Sequence, residues 1–326
     1  MKRVITIFIL SLSIVSFASN PIKSRRAQLD KILAVTAQQF CNPHYLKTTQ
    51  WQQFLETVKS DEVLSLSEPE FVKAFNKAAE SLPFTHYYLR YTKKNKRSAN
   101  ATPVLPAFSL EASSPETAIL TVRSWAADAE GMMAIVGQIE QEGFKNLIID
   151  LRDNRGGTLD AAVVLGQYLT QEPIRIGTFI TKNWFDANAD FPNAEQREQF
   201  PYLRDMTYQG FGAMLNQPAF KLEVPAHNNP TFTGEVFVLT NSLTASTCEP
   251  LVNVMKKQNL GTVIGQPTAG AMMSANYVKI DKRIKLFIPH ADFVDADGQR
   301  IDKVGVTPDI LVPASEALNT ALEMLK

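Results

Sequence analysis

The stretch EVFVLTNSLTASTCE, residues 235–249, decides the reading of this chain. Val236-Phe237-Val238-Leu239 is a short apolar run of the kind that forms a strand buried on both faces of a sheet. Small hydroxylated residues follow from Asn241 to Thr247. From Cys248 onward the apolar residues Leu251, Val252 and Met255 recur at helical spacing. A strand that breaks into a helix at a serine lifts one hydroxyl clear of the sheet. It also aims the unpaired N–H groups of the helix start at the same point. Ser246 is therefore a candidate nucleophile, with the ordinary serine or threonine N-cap as the alternative.

Working outward, the segments on either side alternate. Ala118–Val122 reads as a strand, and Met132, Ile135, Val136 and Ile139 mark a helix. Leu147–Leu151 is a buried strand, Leu159–Leu169 a helix and Ile174–Ile180 a strand again. Such alternation predicts an α/β layer structure with largely parallel strands. Thr262–Ile264 continues it. A hairpin is expected at 276–280 and 284–288, turned at Asp281-Lys282-Arg283. Residues 182–233 form a long polar and aromatic insertion with Trp184, Phe185, Tyr208 and Phe211, either a lid or wall, or plain packing.

Residues 20–92 read as a small helical N-terminal domain. Leu29, Ile32, Leu33 and Phe40 keep one face apolar. Thr49 with Gln52 and Ser67 with Glu70 have capping-box spacing, and Pro69 suits a first helical turn. The polar, proline-bearing stretch 93–116 reads as a linker to a core at 117–326. At the start, Lys2 and Arg3 precede an apolar run from Ile5 to Phe17 and small residues suited to cleavage. Residues 1–19 are thus expected to be a secretory signal peptide, making the chain secreted or periplasmic, with no integral membrane segment in the mature chain.

Composition narrows the function classes. The chain has 326 residues, 45% of them hydrophobic, and its 33 basic and 33 acidic residues cancel. No net field exists to hold nucleic acid by counterion release, so no nucleic-acid partner is expected. Four histidines and two cysteines show no ligand spacing, and neither a metal nor another cofactor is implied. Cys41 and Cys248 are far apart in sequence, and Cys248 reads as a core thiol.

Asp150-Leu-Arg-Asp-Asn-Arg-Gly-Gly157 closes the buried strand with a glycine pair that lets backbone approach a ligand and present an N–H. It is joined in order by Ser246-Thr-Cys-Glu249, Gly265-Gln-Pro-Thr-Ala-Gly270 and Gly305-Val-Thr-Pro-Asp309. Together these resemble the S41 serine peptidases, the family of the C-terminal processing proteases and the tricorn protease core. The resemblance covers most of the mature chain. It implies a ClpP/crotonase-like α/β core, a peptide or protein substrate, and an acyl-enzyme on Ser246. Processing proteases use a lysine just after the Gly-Gln-Pro-Thr segment, but here Ala271, Met272 and Met273 stand there. Lys256 and Lys257 lie roughly 15 Å along the helix axis from Ser246. The tricorn-like branch uses a histidine after the N-terminal helices, a place His86 occupies, and a carboxylate before the Gly-Val-x-Pro-Asp segment, a place Asp302 occupies. That branch usually has glutamate there. Asp302 is one methylene shorter, and either sits closer to the ring or orients it less well. His44, His227 and His290 lack a matching context. The oxyanion would meet the N–H of Thr247 and that of Gly156 or Gly157. Only 31 residues lie between His86 and Ala118 at the start of the first core strand, too few for a PDZ domain. The rival expectation is a catalytically silent relative that binds peptides or envelope partners.

Overall fold

The computed structural model describes residues 21–92, 105–126 and 128–326. The expected signal peptide and the first part of the expected linker lie outside the described residues. In the N-terminal region, α1 (Pro21–Gln39), α2 (Thr49–Lys59), α3 (Asp61–Leu64) and α4 (Glu68–Ala79) pack together, with a 3-10 turn at Pro43–Lys47. Hydroxyl caps set the starts. Thr48, rather than Thr49, accepts the Trp51 N–H at the head of α2, and Ser60 accepts the Val63 N–H at α3. Glu70 reaches back to the Ser67 N–H at 3.2 Å, as the Ser67/Glu70 spacing predicts.

The chain then runs through β1 (Tyr88–Tyr91), β2 (Phe108–Ser114), β3 (Thr117–Val122), α5 (Ala129–Glu142), β4 (Asn146–Asp150), α6 (Asp160–Leu169) and β5 (Ile174–Thr181). The insertion contributes α7 (Lys182–Phe185), α8 (Ala194–Glu198), α9 (Tyr208–Met214) and β6 (Ala219–Val224). Next come β7 (Glu235–Thr240), α10 (Cys248–Lys257), β8 (Thr262–Gly265), β9 (Ser274–Lys279), β10 (Ile284–Asp295), β11 (Ile310–Leu311) and α11 (Ala317–Met324).

Two sheets result. One has the order β11-β8-β7-β4-β3-β2 and is parallel except for β2. Its strands carry near-continuous apolar runs because both faces are covered. Leu147, Ile149 and Val238 face α5, α6 and α10, while Ile148, Phe237 and Leu239 face Ala317 and Ala321 of α11. The second sheet, β1-β10-β5-β6 with β9 added on β10, is antiparallel throughout.

Three expectations change here. The 93–116 stretch is not linker to its end, because β2 forms an edge strand on β3. Ile174–Ile180 belongs to the antiparallel sheet and not to the parallel series. The 182–233 stretch is not wholly an inserted loop, since β6 pairs with β5 through Phe179 and Phe220. The N-terminal helices also share their apolar core with the hairpin. Phe40, Phe54, Phe75 and Tyr87 pack in one cluster with Met273, Ile284, Leu286 and Ile288.

A buried ionic group ties that region to the rest. Arg300 donates to Asp292 at 3.2 Å, to Asp302 at 3.1 Å and to the Pro83 carbonyl at 2.9 Å. Both carboxylates are fully buried. Burial pushes the Asp292 pKa up to about 6 against the pull of Arg300. Removing the guanidinium would strand two buried anions, a loss of about 3–5 kcal/mol by analogy with broken buried pairs. Arg300→Ala should therefore lower the urea midpoint sharply at neutral pH. An unchanged midpoint would show that the network is not structural.

Candidate active site

Strands β4 and β7 are parallel neighbours, so the loops leaving their carboxyl ends emerge side by side, the usual place for a ligand in such sheets. The two loops are cross-braced. Asn241 Oδ1 accepts the Asp153 N–H at 3.1 Å, Thr244 Oγ1 donates to the Leu151 carbonyl at 2.9 Å, and the Ala245 N–H donates to the Asn154 carbonyl at 3.0 Å. Held this way, Ser246 adopts φ +57°, a left-handed conformation rare outside glycine.

The Ser246 hydroxyl does not cap α10. The cap position is Thr247, whose hydroxyl donates instead to the Gly157 carbonyl at 2.9 Å. Ser246 Oγ has no hydrogen-bond partner among the described residues. What Ser246 does anchor is its backbone, because its N–H donates to Glu249 Oε2 at 3.0 Å. Glu249 is buried, and it also accepts from Thr268 Oγ1, the Gly270 N–H and the Ala271 N–H, each at 2.7 Å. Burial pushes its pKa up, while these four donors favour the carboxylate. Glu249 thus clips the serine loop to the Gly265–Gly270 motif.

The glycine pair closes against this turn. A Cβ on Gly156 would lie 2.6 Å from Ser246 Cβ and 3.0 Å from Ser246 Oγ, and its φ is +91°. The two glycines differ in hydrogen bonding. The Gly156 N–H is already donated to Asn154 Oδ1 at 2.9 Å, so it is not free to meet an oxyanion. The Gly157 and Thr247 N–H groups have no acceptor among the described residues. Trp125 pairs with the flanking Gly156 carbonyl and Thr158 N–H, which turns the Gly157 amide away from it.

His86 lines the same cavity as Ser246, a space of about 510 Å³ also bordered by Gly157 and Thr247. No hydrogen bond joins the His86 ring to Ser246 Oγ among the described residues. Its Nδ1 is 2.8 Å from Thr85 Oγ1, and the Thr85 hydroxyl donates to Asp302 Oδ1. A hydroxyl has one proton, and here it goes to the carboxylate. The oxygen then accepts from Nδ1–H, and Nε2 is left with its lone pair. Asp302 therefore does not touch the ring. The shorter side chain reaches it through Thr85, a residue that motif spacing did not single out because a threonine beside a histidine carries no pattern of its own. Asp302 also accepts the N–H groups of Thr85 at 3.0 Å and Met272 at 2.9 Å. Burial lowers the His86 pKa, with the Asp302 charge opposing.

The other polar candidates fall elsewhere. His44 Nε2 lies 3.0 Å from the Phe185 carbonyl, and His227 Nε2 lies 3.0 Å from the Thr170 carbonyl. His290 does line the cavity, where its Nε2 is 2.8 Å from Ser274 Oγ and it sits at an irregularity in the β9–β10 pairing. Burial and the nearby His86 hold its pKa at about 4. Lys256 pairs with Asp309 and Lys257 with Asp295, so both face away from this chemistry. Cys41 and Cys248 are both free and buried, and the Trp125 indole N–H donates to Cys248 Sγ at 3.1 Å. Burial pushes the Cys248 pKa up to about 12.

The parallel-stranded sheet, the antiparallel sheet and the helical N-terminal region define a mixed α/β protein. The sequence model of peptidase family S41 matches residues 116–312. The chain belongs to that family, whose members act on peptides or proteins. Its fold resembles a candidate peptidase from Parabacteroides merdae ATCC 43184 (TM-score 0.64, 14% identity, covering 92% of this chain and 96% of that one). It resembles a lipoprotein from Streptococcus agalactiae (TM-score 0.57, 17% identity, 98% and 99%). It is also similar to a photosystem II D1 C-terminal processing protease (TM-score 0.51, 13% identity, 89% and 93%). Among the described residues, no helix is long and apolar enough to cross a membrane.

The contact between Gly156 and Ser246 gives a direct test. Gly156→Ala should leave the protein folded but displace the serine turn, cutting the reactivity of the hydroxyl about a hundredfold, the cost of a misplacement near 1 Å. Undiminished reactivity would show that the turn tolerates the added methyl.

Proposed function

We propose that the chain is an exported serine endopeptidase working through an acyl-enzyme on Ser246, with His86 as general base and Asp302 as the carboxylate that orients it through Thr85. The observation that carries this reading is the hydrogen-bond chain His86–Thr85–Asp302. It leaves the basic nitrogen of His86 unprotonated within the cavity that holds a serine hydroxyl with no partner among the described residues.

In the first step Ser246 Oγ attacks the peptide carbonyl as its proton passes to His86 Nε2. The imidazolium so formed donates from Nδ1 to Thr85, whose own proton is held by Asp302. Charge is thereby steadied without moving a second proton. The oxyanion is received by the Gly157 and Thr247 N–H groups, at the start of α10 where the helix dipole is favourable. Nε2–H then protonates the leaving amine, and water attacks the ester by the same route in reverse. In this reading Thr247 supplies one donor, and of the two glycines Gly157 supplies the other, because the Gly156 N–H is held by Asn154 Oδ1. Export rests on the sequence pattern of residues 1–19.

A catalytically silent, peptide-binding protein is the second reading, favoured by the lack of a bond between His86 and Ser246 Oγ among the described residues. Such bonds often tighten only with substrate. Labelling of the purified protein with a fluorophosphonate, beside Ser246→Ala and His86→Ala, separates the two. Hydroxyl activation predicts labelling that both substitutions abolish, whereas no labelling of the parent protein favours the silent reading.

Two further outcomes follow from the proton arrangement. Because burial depresses the His86 pKa, the ring stays neutral to lower pH than a free histidine. The rate of hydrolysis should therefore rise with pH through a midpoint below 6.5 and then level off. A midpoint above 7 would contradict His86 as base. Thr85→Val keeps the shape but removes the relay, and should lower kcat about 10²-fold with little change in KM. Wild-type kcat in that variant would remove Thr85 from the mechanism.

A further inference from the structure

The two arginines of Asp150-Leu-Arg-Asp-Asn-Arg are treated differently by the fold. Arg152 is neutralised, because it donates to both Asp150 oxygens at 2.9 and 2.6 Å and to the Ala314 carbonyl at 2.7 Å. Arg155 is exposed, and among the described residues it has neither an ion pair nor a hydrogen bond. It lines the same cavity as Ser246, and among the described residues it is the one lining residue with a permanent charge, since no described aspartate, glutamate or lysine borders that space. The rest of the wall is largely apolar. Phe179 of β5 and Phe211 of α9 meet edge to face at 4.9 Å, and Met206 and Leu215 come from the insertion beside them.

Position along the chain fixes the range of this charge. Gly156, the next residue, is packed against Ser246, and adjacent Cα atoms are about 3.8 Å apart. An arginine side chain that starts there and lines the same cavity is within reach of a group beside the bond that Ser246 would attack. An arginine with no partner among the described residues, beside a largely apolar cavity that no described acid borders, is suited to a carboxylate, which its planar fork can grip with two hydrogen bonds.

We infer that Arg155 is a specificity-determining residue that selects peptides carrying a carboxylate next to an apolar side chain seated in the cavity. This rests on the proposed function for the location of the cleaved bond. The carboxylate is either the end of the substrate chain or an acidic side chain. The apolar side chain lies against Phe179, Phe211 and Leu215, so the insertion supplies a wall of the binding site.

A binding measurement tests this without requiring turnover. In Ser246→Ala protein, the anisotropy of a fluorescein-labelled, phenylalanine-containing hexapeptide is followed in three forms: free C-terminal carboxylate, C-terminal amide, and amide with glutamate as the last residue. At least one carboxylate form should bind roughly fivefold tighter than the plain amide, near the upper end for an exposed ion pair. The preference should shrink in high salt, vanish with Arg155→Gln and persist with Arg155→Lys. Preference for the free acid alone identifies a chain end, and equal preference for both acids identifies any nearby carboxylate. Equal binding of all three forms, no binding of any, or a preference that survives Arg155→Gln overturns the inference. Failure of the proposed function would show itself separately, as absence of fluorophosphonate labelling in the parent protein.

Discussion

Asp302 is the point on which the architecture turns. It is fully buried, and it collects donors from two remote parts of the chain, Thr85 after the N-terminal helices and Met272 beyond the Gly265–Gly270 motif, and from Arg300 beside it. A carboxylate removed from water is tolerable only when its oxygens are saturated in this way. The consequence is geometric. The segment that bears His86 cannot drift from the core without unpairing Asp302, so a histidine contributed by the helical region is held at a cavity built by the α/β layer.

A second buried carboxylate does the same for the serine. Glu249 fixes the Ser246 backbone and the turn at Gly270–Ala271 together, and Gly156 leaves no spare room on the other side. His86, Asp153 and Ser246 all adopt positive φ, at 60°, 65° and 57°. Backbone strain of this kind costs of order 1–3 kcal/mol per residue and persists where surrounding contacts over-determine it. For Asp153 and Ser246 the surrounding contacts are the cross-braces between the two loops. The catalytic proposal follows from the same feature, since a serine forced out of helical geometry presents its hydroxyl to the cavity instead of to the helix end.

Much of this was legible in the residues. The apolar runs at Leu147–Leu151 and Val236–Leu239 mark buried parallel strands because both faces are covered, and Ser246 stands where strand gives way to helix. The Ser67/Glu70 cap appears as its spacing predicts. Other features depend on pairing, which periodicity does not encode. Ile174–Ile180 has the same pattern whether its neighbour is parallel or antiparallel, so its place in the second sheet was hidden. Strand β2, FSLEASS, is short, polar and at an edge, and it reads like linker. Thr85 carries no signature in the sequence, because its bridge between His86 and Asp302 arises only from the short reach of the aspartate. The choice between Gly156 and Gly157 depended on where Asn154 Oδ1 spends its hydrogen bond, a matter of side-chain direction that no spacing reveals.

Ser246, His86 and the Gly157 and Thr247 amides are proposed to act together on one bound carbonyl. A crystal structure of the fluorophosphonate-treated protein would show whether they do. Phosphorus should sit on Ser246 Oγ, with its phosphoryl oxygen within hydrogen-bond distance of the Gly157 and Thr247 N–H groups, and His86 Nε2 beside a phosphonate oxygen with Nδ1 still on Thr85. An adduct on another residue, or one on Ser246 whose phosphoryl oxygen points to solvent with His86 turned away, would contradict the proposal.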